Sequence, residues 1–169
     1  LANGPTLQQY KAQIDGFIAK HDPIILGANY LGGLFKPHYH AFSNKIRFSQ
    51  YVDKVSPESK LLIGQYIPDA MIREHVSREY ELIHYRDILN ANFNIVDGVI
   101  QCNCRTISVL LLGVAIVMGA GRIFAAGMDG YTAPTLQNGQ LFYQEEINTA
   151  DKNMIIDRHR WCQRFIEQL

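Results

Sequence analysis

Leu7, Tyr10, Ile14, Phe17 and Ile18 recur at helical spacing behind a Pro5-Thr6 start and ahead of the His21-Asp22-Pro23 break, so a loop feeds a helix. Pro23 to Ala28 then reads as a strand, followed by the glycine-bearing turn Tyr30-Leu31-Gly32-Gly33, and Tyr39 to Ser43 as a second, shorter strand. Ile46, Phe48, Tyr51, Val52 and Val55 predict a short helix ending at Ser56-Pro57. Lys60 to Gln65 is a buried strand, Pro68-Asp69 opens a helix through Val76, and Tyr80 to Tyr85 is strand-like. Ile95 to Gln101 resembles a short or irregular extended segment. Thr106 to Ala120 is apolar on nearly every side, which predicts a buried helix, and Arg122 to Ala126 a short buried strand ending at Gly127.

From Tyr131 to Glu146 the pattern turns polar, with glycine and proline, as an excursion or lid would. Asn148 or Thr149 can cap a closing amphipathic helix whose buried face is Met154, Ile155, Trp161, Cys162, Phe165, Ile166 and Leu169. Alternation of strand and helix with short crossovers predicts an α/β fold: a Rossmann-like three-layer domain with a mostly parallel sheet flanked by helices.

Composition narrows this picture. The chain has 169 residues, 47% of them hydrophobic, enough for one domain (1–169) with its own core. It opens on Leu-Ala-Asn-Gly-Pro at the apparent tail of a strand, as a fragment of a longer chain would. Basic and acidic residues number 16 each, so no charge excess points to nucleic acid. Ile107 to Ala120 falls short of the roughly 20 residues a membrane-spanning helix needs. Three cysteines cannot pair completely, and with no signal peptide in view the expected compartment is a reducing cytoplasm.

Candidate chemistry sits at the strand ends. Asn3, Asn29 and Asn44 each follow a short apolar or small-residue run, where an open α/β sheet binds its ligands and a side-chain amide offers both donor and acceptor. Asparagine also simply suits turns. Cys102-Asn103-Cys104 with His38 and His40 makes a metal site conceivable, but the spacing is not that of a Cys-x-x-Cys knuckle and buried or strand-end cysteines account for it. Asp157-Arg158-His159-Arg160 reads as a solvated helix face. Gly119-Ala120-Gly121 ends a helix instead of opening one, so it is no nicotinamide fingerprint.

Four motifs in order resemble the donor-binding domain of the bacterial sialyltransferases and the wider group of Rossmann-like domains related to it. Ala2-Asn3-Gly4-Pro5-Thr6-Leu7 is similar to that group's asparagine-glycine-proline-serine loop, Ala28-Asn29-Tyr30 and Phe42-Ser43-Asn44 to its next strand ends. Arg105-Thr106-Ile107-Ser108, through the apolar helix to Gly127-Met128-Asp129-Gly130-Tyr131, is similar to its threonine-serine-glycine helix start and glycine-x-aspartate-x-tyrosine strand end. The resemblance implies a metal-independent pocket, without a further cofactor, for a cytidine nucleotide or nucleotide sugar. Asn3 and Gly4 would lie near phosphate and ribose, Asn29 and Asn44 near phosphate or sugar, Thr106 and Ser108 at a helix start, and Asp129 with Tyr131 opposite.

Two departures bear on glycosyltransferase activity. The group's base is a histidine shortly before the threonine-serine-glycine motif, and Asp97 to Arg105 contains none, leaving Asp97 as a carboxylate candidate and Tyr131 as a donor to the departing phosphate. His84 lies too far upstream in sequence to take that place. Ile107-Ser108 also replaces the serine-glycine step. The alternative is a non-catalytic C-terminal accessory or oligomerisation module of an aldolase-type enzyme in surface-sugar biosynthesis, with an upstream catalytic domain as its partner. If the strand ends form a ligand pocket, alanine at Asn29 or Asn44 is expected to weaken ligand binding by about 1 to 3 kcal/mol while leaving the fold largely intact.

Overall fold

The computed structural model describes residues 1–88, 93–102 and 106–129, together with residue 166. Two helices, α1 (Thr6–Gln9) and α2 (Lys11–His21), lead into β1 (Leu26–Ala28) and β2 (Tyr39–Phe42). Then come α3 (Lys45–Tyr51) with a 3-10 turn at Val52–Lys54, β3 (Lys60–Gly64), α4 (Asp69–His75) and β4 (Tyr80–Ile83). The fold is α/β: β1 to β4 form a wholly parallel sheet in chain order, in register Ala28↔Ala41, Ala41↔Leu62 and Leu62↔Glu81.

Helices cover both faces of this sheet, which is why β3 reads Leu-Leu-Ile without alternation. Ala28, Ala41 and Leu62 face α5 (Ile107–Val117) and pack with Ile107, Leu110, Leu111 and Val114. Their neighbours Phe42, Leu61 and Ile63 face α3 and α4 and pack with Phe48, Tyr51 and Ile72. Burial of those side chains, at roughly 1.5 to 3 kcal/mol each, is the main term holding the layers together.

The sheet extends past β1. The Leu1 amine donates to the Leu26 carbonyl at 2.6 Å and the Ala28 amide to the Leu1 carbonyl at 2.9 Å, the parallel pattern that sets Leu1 level with Gly27. On the other side, the Ala2 amide donates to Ala126 O and the Gly4 amide to Gly127 O, both at 2.8 Å. Residues 1–4 therefore lie between β1 and the 126–127 segment. The chain progresses outward through β1 to β4 on one side and returns, after α5, on the other.

Several expectations are corrected. Ile24 and Ile25 precede β1, and Ile24 is exposed. The extended segment at 95–101 is a hairpin, β6 (Asn94–Val96) and β7 (Val99–Cys102), in a second sheet of order β5-β7-β6 with β5 at Tyr85–Asp87. Asp97 and Gly98 form its two-residue turn, both with positive φ (51° and 74°), as a type I′ turn requires. Arg122 to Ala125 hold an exposed, irregular segment in place of the buried strand, with Phe124 at 65% exposure. Ile166 is helical and exposed, against its expected place on a buried face. The 131–146 excursion and the rest of the closing helix lie outside the described residues. No helix among the described residues is long and apolar enough to cross a membrane.

Candidate functional site

Ligands of open α/β sheets bind where the chain reverses its direction of progress across the sheet, beyond the carboxyl ends of the strands. Here that point falls between residues 1–4 and 126–127. Continuing the Leu1–Gly27 register by two residues sets Asn3 level with Asn29. Asn29 in turn is level with Phe42, two residues before Asn44. The sheet thus gathers Asn3, Asn29 and Asn44 on one carboxyl-terminal edge.

Two of these asparagines, Asn44 and Asn29, have structural work. Asn44 caps α3: its Oδ1 accepts from the amides of Ile46 at 2.9 Å and Arg47 at 3.1 Å. Asn29 adopts a left-handed backbone (φ 53°), donates its amide to Ala41 O at 2.9 Å and accepts at its own carbonyl from Nε2 of His40. Its Oδ1 and the Nδ1 of His40 are both buried without a hydrogen-bond partner among the described residues. His40, only 2% exposed, is held neutral: burial pushes its pKa down from 6.5 to about 4, the bond to the Asn29 carbonyl opposing this, and Arg78 and the Leu1 amine adding to it.

Gly4 and Asp129 come into direct contact. The Asp129 carboxylate accepts from the Thr6 amide at 2.8 Å and from the Thr6 hydroxyl. A Cβ on Gly4 would run into that carboxylate and stand 2.6 Å from Gly127 O. The glycine is therefore required by the close approach of two chain segments. The carboxylate also occupies the first amide of the helix, so the partners it favours next are hydroxyls and amines and not a further anion. Thr6, Tyr10, Gly127 and Asp129 border a cavity of about 350 Å³.

Thr106 caps α5, its Oγ1 accepting from the Val109 amide at 3.4 Å. Ser108, the second residue of α5, lines a different and larger hollow of about 760 Å³. That hollow lies among apolar side chains of α2, α5 and the 122–128 segment, including Phe17, Leu111, Ile123 and Phe124. Its lining lacks the asparagines, so size alone does not make it the site. Asp97 stands exposed at the hairpin tip, where positive φ explains an aspartate without any proton-transfer role. Tyr131 lies outside the described residues.

The edge also carries residues that strand-by-strand reading passed over. Gln65 and Tyr66 follow β3, and His84 follows β4. The Gln65 amide nitrogen donates to the Tyr85 carbonyl at 2.9 Å, and its Oε1 meets Nδ1 of His84 at 3.0 Å. The Tyr66 hydroxyl donates to the same Tyr85 carbonyl at 3.2 Å. Burial raises the pKa of the Tyr85 hydroxyl, with Tyr66 and Asp87 adding to the rise. The signal available in sequence was the position of Gln65-Tyr66 at the end of a buried strand.

His38 and His40 do not converge: the exposed His38 ring accepts from the Ile25 amide at 2.9 Å while His40 is buried. No group of three or more metal-ligating side chains occurs among the described residues. Cys102 is fully buried and disulfide-bonded, its partner lying outside the described residues. Comparison with protein-family models, with curated proteins and with solved structures finds no match.

Proposed function

We propose that this chain binds a nucleotide or nucleotide sugar of the cytidine type across the carboxyl edge of its parallel sheet. The observation that carries the reading is the reversal of chain progress at residues 1–4, with the Asn3-Gly4 loop on one side and the Gly127–Asp129 turn on the other. The ordered motifs resembling the bacterial sialyltransferase donor domain support the ligand class. The polar groups that the described residues bring to the edge include amides, hydroxyls, an imidazole and the Asp129 carboxylate, suited to ribose and sugar hydroxyls and to an exocyclic amine.

The Asp129–Thr6 bonds refine the expected arrangement. A carboxylate beside Gly4 favours hydroxyl or amine groups of the ligand there, which supports a phosphate position nearer the neighbouring strand ends at Asn29 and Asn44. A thermal-shift screen led by cytidine mono- and diphosphates and a cytidine-monophosphate-linked sugar tests the reading, because a ligand that binds only the folded state raises its stability with concentration. A saturable upward shift with cytidine ligands is expected. An unchanged Tm across millimolar ligand overturns it.

A further inference from the structure

We propose that Gln65, Tyr66 and His84 form a subsite for the sugar part of the ligand, in which Nε2 of His84 accepts a hydrogen bond from a sugar hydroxyl. This deepens the nucleotide-sugar reading and rests on it.

The tautomer of His84 follows from its neighbours. A backbone carbonyl can only accept, so the group of Gln65 that meets Tyr85 O must be its NH₂. The Gln65 oxygen then faces His84, and because that oxygen also only accepts, Nδ1 must carry the proton. When the imidazole is neutral, its unprotonated nitrogen is therefore Nε2, on an exposed side chain. It is an acceptor set in place before any ligand arrives.

The surroundings hold it there. The Ile100 amide donates to His84 O at 3.0 Å and the Gln65 amide to Ile83 O at 3.2 Å, fixing both backbones. Tyr66 is 60% exposed, yet its hydroxyl is tied to Tyr85 O and its ring stands edge-on to the buried Tyr85 ring, centroids 5.1 Å apart. A fixed apolar ring face beside a fixed acceptor suits a sugar, which presents C–H groups on one side and hydroxyls around its rim. The phosphodiester of a nucleotide-monophosphate-linked sugar carries no proton to give Nε2 at neutral pH. From Asn44 at the end of β2 to His84 is two strand steps, about 10 Å at the usual spacing.

The test uses the full chain with two probes, cytidine monophosphate and a cytidine-monophosphate-linked sugar. Nitrogen-15 NMR should show His84 protonated at Nδ1. His84→Phe should weaken binding of the linked sugar about tenfold, the worth of one hydrogen bond, and leave cytidine monophosphate within twofold. Gln65→Leu should release the Nε2–H form and produce the same selective loss, with Tm confirming that both variants fold. A His84 protonated at Nε2 in the wild type, or equal losses for both probes, overturns the subsite. Wild-type binding of both probes with equal affinity overturns it too while leaving the nucleotide reading standing, whereas binding of neither overturns both.

Discussion

Burial of a neutral His40 makes stability depend on pH in a defined window. In the folded chain its pKa is lowered from 6.5 to about 4, chiefly by desolvation. Between those values the unfolded chain binds a proton that the folded chain refuses, so stability falls as pH falls from 6.5 towards 4 and is level, for this group, on either side. The full difference is worth about 3 kcal/mol, of which about 2.5 should be gone by pH 4.5. Urea unfolding at intervals from pH 7.5 to 4.5, run on wild type and on His40→Gln, isolates the effect. Glutamine keeps an N–H for the Asn29 carbonyl but cannot titrate, so the variant should lack this part of the acid loss. Identical pH dependence in the two proteins, or a His40 NMR titration with its midpoint near 6.5, would refute the reasoning.

Other expectations follow from particular contacts. Gly127→Ala should cost at least about 2 kcal/mol in chemical denaturation, since φ is 73° and the new methyl would stand 3.1 Å from Leu7 Cβ and strike the Ala2 carbonyl. Asn44→Ala should lose about 1 kcal/mol with the α3 cap, whereas Asn44→Ser should keep the cap, so weakened cytidine binding in the serine variant alone reports a ligand contact. One disulfide among three cysteines leaves a single thiol, so a thiol reagent should label one cysteine in denaturant without reductant and three after reduction. Exchanging the hairpin turn at Asp97 for asparagine should leave stability within about 0.5 kcal/mol, because both residues tolerate the left-handed region; a larger loss would show that the carboxylate does more than turn the chain.

The sequence by itself determined what local patterns encode. Helical spacing from Leu7 to Ile18 and the unbroken apolar run at Leu61–Ile63 each act within a few residues, so the alternating helices and strands of the parallel sheet were legible. Asp97-Gly98 was equally local, and its hairpin signal was readable although a flanking apolar pattern suggested a single extended segment. Only the tertiary structure decided which strand ends meet. Thr6 and Asp129 are separated by 123 positions, and nothing near either one announces that the carboxylate fills the helix start and makes Gly4 indispensable. His84, set aside because of its distance along the chain, reaches the carboxyl edge because parallel strands bring their ends together whatever the length of the crossover between them. Periodicity fixes elements through short-range geometry, whereas the site depends on contacts between segments far apart in sequence, and those exist only once the sheet has formed.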